Sequence, residues 1–181
     1  MDKALEAASP LSSSASWRGN DLSLLVCPPP VIFHLEGIRD GITDATLPKA
    51  GRCTSDGAGL LLSVGPGVYL RVGGEDNSVT LKARFRAVVD VSSAWTYLAI
   101  AGPKAIELLR KGCAIDLHPR MFPAGACCAT GFGRMRIVLW RSSIGARYDM
   151  LVGCSYARSL WSWLIEAAAP YGAQQTKECS Q

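Results

Sequence analysis

The stretch that most limits what this chain can fold into runs from Val89 to Arg120, VDVSSAWTYLAIAGPKAIELLRKGCAIDLHPR. It reads as a strand, a Gly-Pro turn, a helix and then an extended segment carrying Asp116, His118 and Arg120. Gly102 suits the position before a helix. Pro103 suits the first helical position, where its missing N–H has no intrahelical partner to lose and its fixed φ already matches. Ala105, Ile106 and Leu109 recur at helical spacing. Gly112 is expected to stop the helix in a left-handed cap, with Arg110 and Lys111 placed favourably at its negative end. The preceding run from Val88 to Ile100 is strand material. Its alternating sets, Ser93/Trp95/Tyr97/Ala99 and Ala94/Thr96/Leu98/Ile100, are both largely apolar, so both faces of that sheet should be covered.

Around this unit the reading is that of one domain over 21–170, between an N-terminal tail at 1–20, rich in Ser and Ala, and a C-terminal tail at 171–181. With 49% apolar residues among 181 the chain can bury a core of its own. Val31 to Leu35 reads as a strand, and 37–59 as a long loop. Leu60–Val64 and Val68–Val72 read as a hairpin about Gly65-Pro66-Gly67, and Asp76–Phe85 as a short helix capped by Asn77 or Ser78. Strands follow at Cys127–Phe132, Ile137–Trp140 and Tyr148–Val152. A last helix is expected from Ser155, as its N-cap, to Ala169.

That last helix is apolar on two sides. Tyr156, Leu160, Trp163, Leu164 and Ala167 form one stripe, and Ala157, Trp161, Ile165 and Ala168 a second, with Trp161 and Trp163 about 200° apart. Such a helix is either sandwiched inside its own domain or pressed against another chain. The expectation drawn here is a partner, with Trp161 and Ile165 facing it.

The composition excludes several classes. No apolar run is long enough for a membrane span, since the uncharged stretch from Leu22 to Leu35 is broken by Pro28, Pro29 and Pro30. No secretory leader is apparent. Seven cysteines without a C-x-x-C pair point to buried small hydrophobes in a reducing cytoplasm rather than to a disulfide framework or zinc knuckle. Residues 82–181 hold 13 basic and 6 acidic side chains, net +7, whereas residues 1–81 are net −3. This asymmetry suits an acidic partner surface or anionic ligand. No basic run carries interleaved aromatics, so nucleic acid is not an expected partner.

The chain has only two histidines, His34 and His118, and no phosphate-binding loop, nucleophile elbow or dinucleotide motif. Cys113, Asp116 and His118 offer metal-ligand atom types within six residues, but with no fourth ligand in view. The alternative reading has Asp116 and His118 fixing a turn before Pro119 through hydrogen bonds to nearby backbone. No catalytic, cofactor-binding or metal-binding residue is assigned. Asp116, His118, Arg120, Trp161 and Ile165 are the expected partner-contact residues.

Taken in order, LLLSVGPGVYLRV, VVDVS, LLRKGCAIDLHPR, FPAGACCAT, RIVLWR and YDMLV followed by SYARSLWSWLIEAA resemble the gamma subunit of heterotetrameric sarcosine oxidase, over roughly residues 31–169. That family looks like a reduced relative of the folate-binding aminomethyltransferase domain. The resemblance implies an α+β, ferredoxin-like antiparallel sheet with packed helices, and a gamma subunit that supplies no catalytic residue. It also implies alpha, beta and delta partner subunits, with alpha as the chief contact. NAD and tetrahydrofolate would be held by alpha, FAD by beta, FMN between alpha and beta, and zinc by delta. Two other readings stand beside it: a stand-alone folate-binding or aminomethyl-transferring protein, and the matching subunit of a related N-methyl amine oxidase. Lys111-Gly112-Cys113 is shared with folate-dependent iron–sulfur cluster proteins, but the Gly-Gln-Glu that follows there is absent.

Overall fold

The computed structural model describes residues 10–13, 15–39, 47–55, 59–74 and 78–172. Among the described residues, eleven strands and three α-helices form two antiparallel sheets with helices on their outer faces, an α+β architecture as expected. The first sheet holds β1 (Ser16–Arg18), β2 (Ser23–Val26), β8 (Trp95–Ala101), β11 (Arg147–Gly153), β10 (Met135–Arg141) and β9 (Cys127–Phe132), in the order β1-β2-β8-β11-β10-β9. The second holds β4 (Cys53–Ser55), β5 (Leu60–Gly65), β6 (Val68–Val72), β3 (Ile32–Ile38) and β7 (Phe85–Asp90), in the order β4-β5-β6-β3-β7. Helices α2 (Ala105–Arg110) and α3 (Ala157–Ala168) pack on the first sheet, and α1 (Ser78–Arg84) packs on the second.

This layering gives three apolar clusters. Leu98, Ile100, Leu139 and Met150 meet Leu108, Leu160 and Leu164 under the helices. Ile32, Leu62 and Leu70 meet Val138, Trp140 and Leu151 between the sheets. Phe33, Leu35 and Tyr69 meet Leu81 and Phe85 on the far side. β8 therefore has both faces covered, as its doubly apolar pattern required: Leu98 and Ile100 lie under the helices, and Trp95 and Tyr97 lie toward the second sheet.

Several expectations are corrected. The run from Val88 to Ile100 is not one strand but two, in different sheets, because a corner intervenes at Asp90–Ala94. There the Asp90 carboxylate accepts the Ser92 backbone N–H at 2.9 Å and its hydroxyl at 2.6 Å. The Ser92 hydroxyl oxygen in turn accepts the Ile32 N–H at 2.8 Å, tying the corner to β3. Ser16–Arg18, expected within a tail, is an edge strand with Trp17 buried in the core, and Ser23–Val26 is a further strand not anticipated. Cys53–Ser55, expected as loop, is a strand. Asn77, one of the two expected caps of α1, lies outside the described residues.

The glycine after α2 is needed for a different reason than expected. Gly112 has no positive φ. Instead the Phe132 ring packs where its Cβ would stand, so any side chain would collide with the ring. Gly102 does take a positive φ of 117°, with Asp21 backbone against it. Nor does Ser155 cap α3: a 3₁₀ turn at Cys154–Tyr156 precedes the helix, and no side chain caps its N-terminus. Its other end is served by Lys111, whose ammonium donates to the Ala167 carbonyl at 2.9 Å and lies 4.7 Å from the centre of the Tyr171 ring.

Candidate functional site: the Asp116–Phe122 loop and the seam between the sheets

The two sheets are joined along one seam. Arg52 and Ala126 form an isolated antiparallel bridge. Beside it the Cys127 N–H donates to the Gly51 carbonyl and the Cys53 N–H to the Gly125 carbonyl, each at 2.9 Å. The thiols reinforce these links: Cys127 donates to the Arg52 carbonyl at 3.1 Å, and Cys53 to the Gly125 carbonyl at 3.3 Å. Burial pushes the Cys127 thiol up to about 12 and the Cys128 thiol up to about 11, so both are neutral at physiological pH and poor nucleophiles.

Against this seam lies the loop after α2. Leu117 and Phe122 are buried anchors, while Asp116, His118, Pro119, Arg120 and Met121 between and beside them face water. The exposed part is held by its own hydrogen bonds. The Asp116 carboxylate accepts the His118 N–H at 2.8 Å, and His118 Nδ1 accepts the Arg120 N–H at 3.3 Å. The Met121 and Phe122 N–H groups both donate to the His118 carbonyl at 2.8 Å. Asp116 and His118 thus fix a turn about Pro119, as the sequence suggested. Cys113, Asp116 and His118 do not gather into a metal site, and no such cluster of His, Cys, Asp or Glu exists among the described residues. Cys113 is buried, and burial raises its thiol.

A shallow depression of about 520 Å³ opens between loop and seam, lined by Arg52, Asp116, Arg120, Met121, Phe122 and Cys127 among others. Sequence reasoning found Asp116 and Arg120 but missed Arg52, which is 64 residues before Asp116 and reaches the loop only through its pairing with Ala126. No local pattern carries that register.

Trp161 and Ile165 are not brought to this site. They lie on α3, and Trp161 is only 7% exposed within the chain alone. The expectation that Trp161 faces a partner is corrected. Trp161 belongs to the core cluster that also holds Trp17, with Leu11 and Ala15 packed against it, and Arg158 Nε on the same helix donates to the Pro10 carbonyl at 3.1 Å. Ile165 is half-buried at the margin of that cluster. Trp163, on the other stripe, meets Phe132 edge-on at 4.9 Å.

A second polar feature escaped the sequence. On β11, Asp149 is buried and its carboxylate accepts the Tyr97 hydroxyl at 2.8 Å and the Arg147 guanidinium at 2.7 and 2.9 Å. Burial, then the Asp149 charge, raises the Tyr97 hydroxyl, so it stays protonated and donates. Trp140 stacks on Tyr97 at 5.6 Å. This satisfied network locks β8 to β11 and leaves no free acid or base. Its only signal was one acid in the apolar run YDMLV.

Residues 52–170 match the family model described as sarcosine oxidase, gamma subunit family. The chain belongs to that family. A relative from Corynebacterium sp. (strain U-96), sarcosine oxidase subunit gamma, is 30% identical over 142 residues, covering 74% of this chain and 68% of the relative. The subunit of the same name from Arthrobacter sp. is 29% identical over 119 residues, covering 62% and 58%. Among solved structures, a chain of the heterotetrameric sarcosine oxidase from Corynebacterium sp. U-96, in complex with pyrrole 2-carboxylate, superposes with a TM-score of 0.73 at 25% identity, covering 95% of this chain and 93% of that one. The glycine cleavage system aminomethyltransferase T from Bartonella henselae shares the fold, with a TM-score of 0.53 at 16% identity over 75% of this chain and 43% of that one.

Proposed function

We propose that this chain is the gamma subunit of a heterotetrameric sarcosine oxidase and serves assembly rather than catalysis. The observation that carries the reading is the nearly end-to-end superposition on a chain of such an enzyme, with 95% and 93% of the two chains covered. In this reading the complex oxidatively demethylates sarcosine to glycine, reduces oxygen to hydrogen peroxide and passes the one-carbon unit to tetrahydrofolate as 5,10-methylenetetrahydrofolate. FAD, FMN, NAD, tetrahydrofolate and zinc belong to the alpha, beta and delta chains, and the assembly is cytoplasmic. The choice among N-methyl amines is made in a chain other than this one. Asp116, His118 and Arg120 contact the partner, chiefly alpha, and Ile165 does so at the margin of α3. What supports the assignment of no catalytic role is the state of the candidate groups. His118 is engaged in its turn through Nδ1, and the seam thiols are held neutral.

Co-expression with the neighbouring alpha, beta and delta chains tests this. A tag on this chain is expected to retrieve all of them in equal amounts, with sarcosine-dependent peroxide formation. An active complex that assembles without this chain would sink the proposal.

A further inference from the structure

Among the described residues, the guanidiniums of Arg39, Arg141, Arg147 and Arg158 are all engaged on carbonyls or carboxylates. Those of Arg18, Arg52, Arg110, Arg120, Arg134 and Arg136 make no hydrogen bond or ion pair among the described residues; Arg134 and Arg136 share a depression at the β9–β10 hairpin, and Arg52 and Arg120 share the one between loop and seam. Asp116 is the only acid in its lining, and one of its oxygens is already taken by the His118 N–H. The floor is apolar and fixed: Phe122 and Ala126 are buried, and the seam hydrogen bonds hold Gly51, Gly125 and Cys127 on either side. Arg52 extends beside Gly125, where a Cβ would come 3.9 Å from its terminal nitrogen. At the rim Met121 is 69% exposed, a flexible apolar side chain.

We infer that this depression receives a carboxylate-bearing, partly apolar segment of the partner subunit, with Arg52 and Arg120 as its anion-binding pair and Met121 closing over the apolar part. The inference rests on the assembled-subunit reading given above. Charge complementarity decides the occupant. Two guanidiniums with all donors available match a carboxylate in geometry and sign, and the net +7 of residues 82–181 attracts an acidic surface from a distance. Shape decides its source. A depression this open leaves much of a free small molecule in water, whereas a segment tethered by the rest of an interface needs only part of its surface covered. One arginine stands on the seam and the other on the loop, so the occupant would also clamp loop to seam.

The test uses the co-expressed complex. R52E and R120E are each expected to weaken subunit association by about tenfold or more, and the neutral R52Q/R120Q pair to reduce its salt dependence. R134E and R136E, exposed arginines on the β9–β10 hairpin, serve as controls for overall charge. Association unchanged in R52E and R120E overturns the inference while leaving the subunit assignment standing. Equal losses in all four variants also overturn it, because they would mean general steering rather than a site. If R52E lowers the melting temperature by loosening the seam, R120E, whose side chain holds no part of the fold, decides alone. A wild-type chain that never joins the complex would instead remove the assignment itself, and the inference with it.

Discussion

Helix α3 and the Asp116–Phe122 loop make opposite use of their sequences. The helix is apolar on two sides and buries most of both within its own chain, Leu160 and Leu164 on one stripe and Ala157, Trp161 and Ala168 on the other. The loop is polar, stays in water over most of its length, and is nevertheless ordered by its own hydrogen bonds. Apolar character says that a surface is buried but not by what. A stretch of 17 residues rich in Ser and Ala at the start of the sequence reads as solvent-exposed, yet Trp17 within it is a core residue and Leu11 and Ala15 pack against the same core cluster. An exposed loop that keeps a fixed shape without burying itself is the better mark of a contact surface, because order in water has to be held by specific bonds.

The sharpest way to break this comparison is Trp161→Ala. With the ring 7% exposed inside the chain, truncation removes a large buried aromatic and leaves a cavity, and the expected loss of unfolding free energy is about 3–5 kcal/mol. Urea unfolding of the purified chain measures it. A midpoint that barely moves, together with loss of assembly, would put Trp161 back at a partner surface and reverse the contrast between helix and loop.

What the sequence made legible was local and periodic. The hairpin of β5 and β6 follows from alternating apolar residues around Pro66-Gly67, where Gly67 has a φ of 67°. The strands β9 to β11 and the helix α3 announce themselves by the same means. What stayed hidden depended on side chains acting across distance. Asp90 and Ser92 turn a corner that splits an apparently continuous strand between two sheets, and neither is a Gly or Pro that would signal a break. Gly112 looked like a backbone requirement and proved to be a packing requirement set by Phe132, 20 residues later. Half of the candidate site was readable, because Asp116 and His118 bond to amides two residues away. The other half, Arg52, was not, since only the strand register brings it there.

The floor of the depression allows a second, smaller test. The Cys127 thiol is raised from its ordinary 9.0 to about 12, so its folded-state value lies above its unfolded one. Stability from the neutral thiol is therefore fully present below about pH 9 and is lost as pH rises toward 12, because the unfolded chain ionises first. Between pH 8 and pH 10.5 this single group is expected to remove about 2 kcal/mol. Other groups also titrate there, so the measurement is the difference between wild type and Cys127→Ala in urea unfolding at both pH values. The variant starts less stable and loses less. Parallel losses in the two proteins would mean that the seam opens easily to solvent, and would weaken its claim to be the rigid side of the site.

The smallest effect addresses the loop itself. Asp116→Ala removes the acceptor of the His118 N–H, an exposed bond, so its net cost to global stability is expected to be about 1 kcal/mol or less. Asp116→Asn keeps an acceptor in place and should cost still less, which separates the hydrogen bond from the charge. Global unfolding is a blunt probe here, because Leu117 and Phe122 hold the two sides of the loop whatever Asp116 does. Amide hydrogen exchange at His118 and Arg120 reads the loop directly. In Asp116→Ala the His118 amide loses its acceptor, and as the turn loosens the His118 ring no longer receives the Arg120 N–H. Faster exchange at both positions is expected, with the Asn variant close to wild type. Exchange that speeds at His118 alone would mean that the ring is held independently, by Pro119 and the flanking anchors. The shape of the loop would then come from burial at its ends, as in α3, and the contrast between the two regions would narrow to one of exposure.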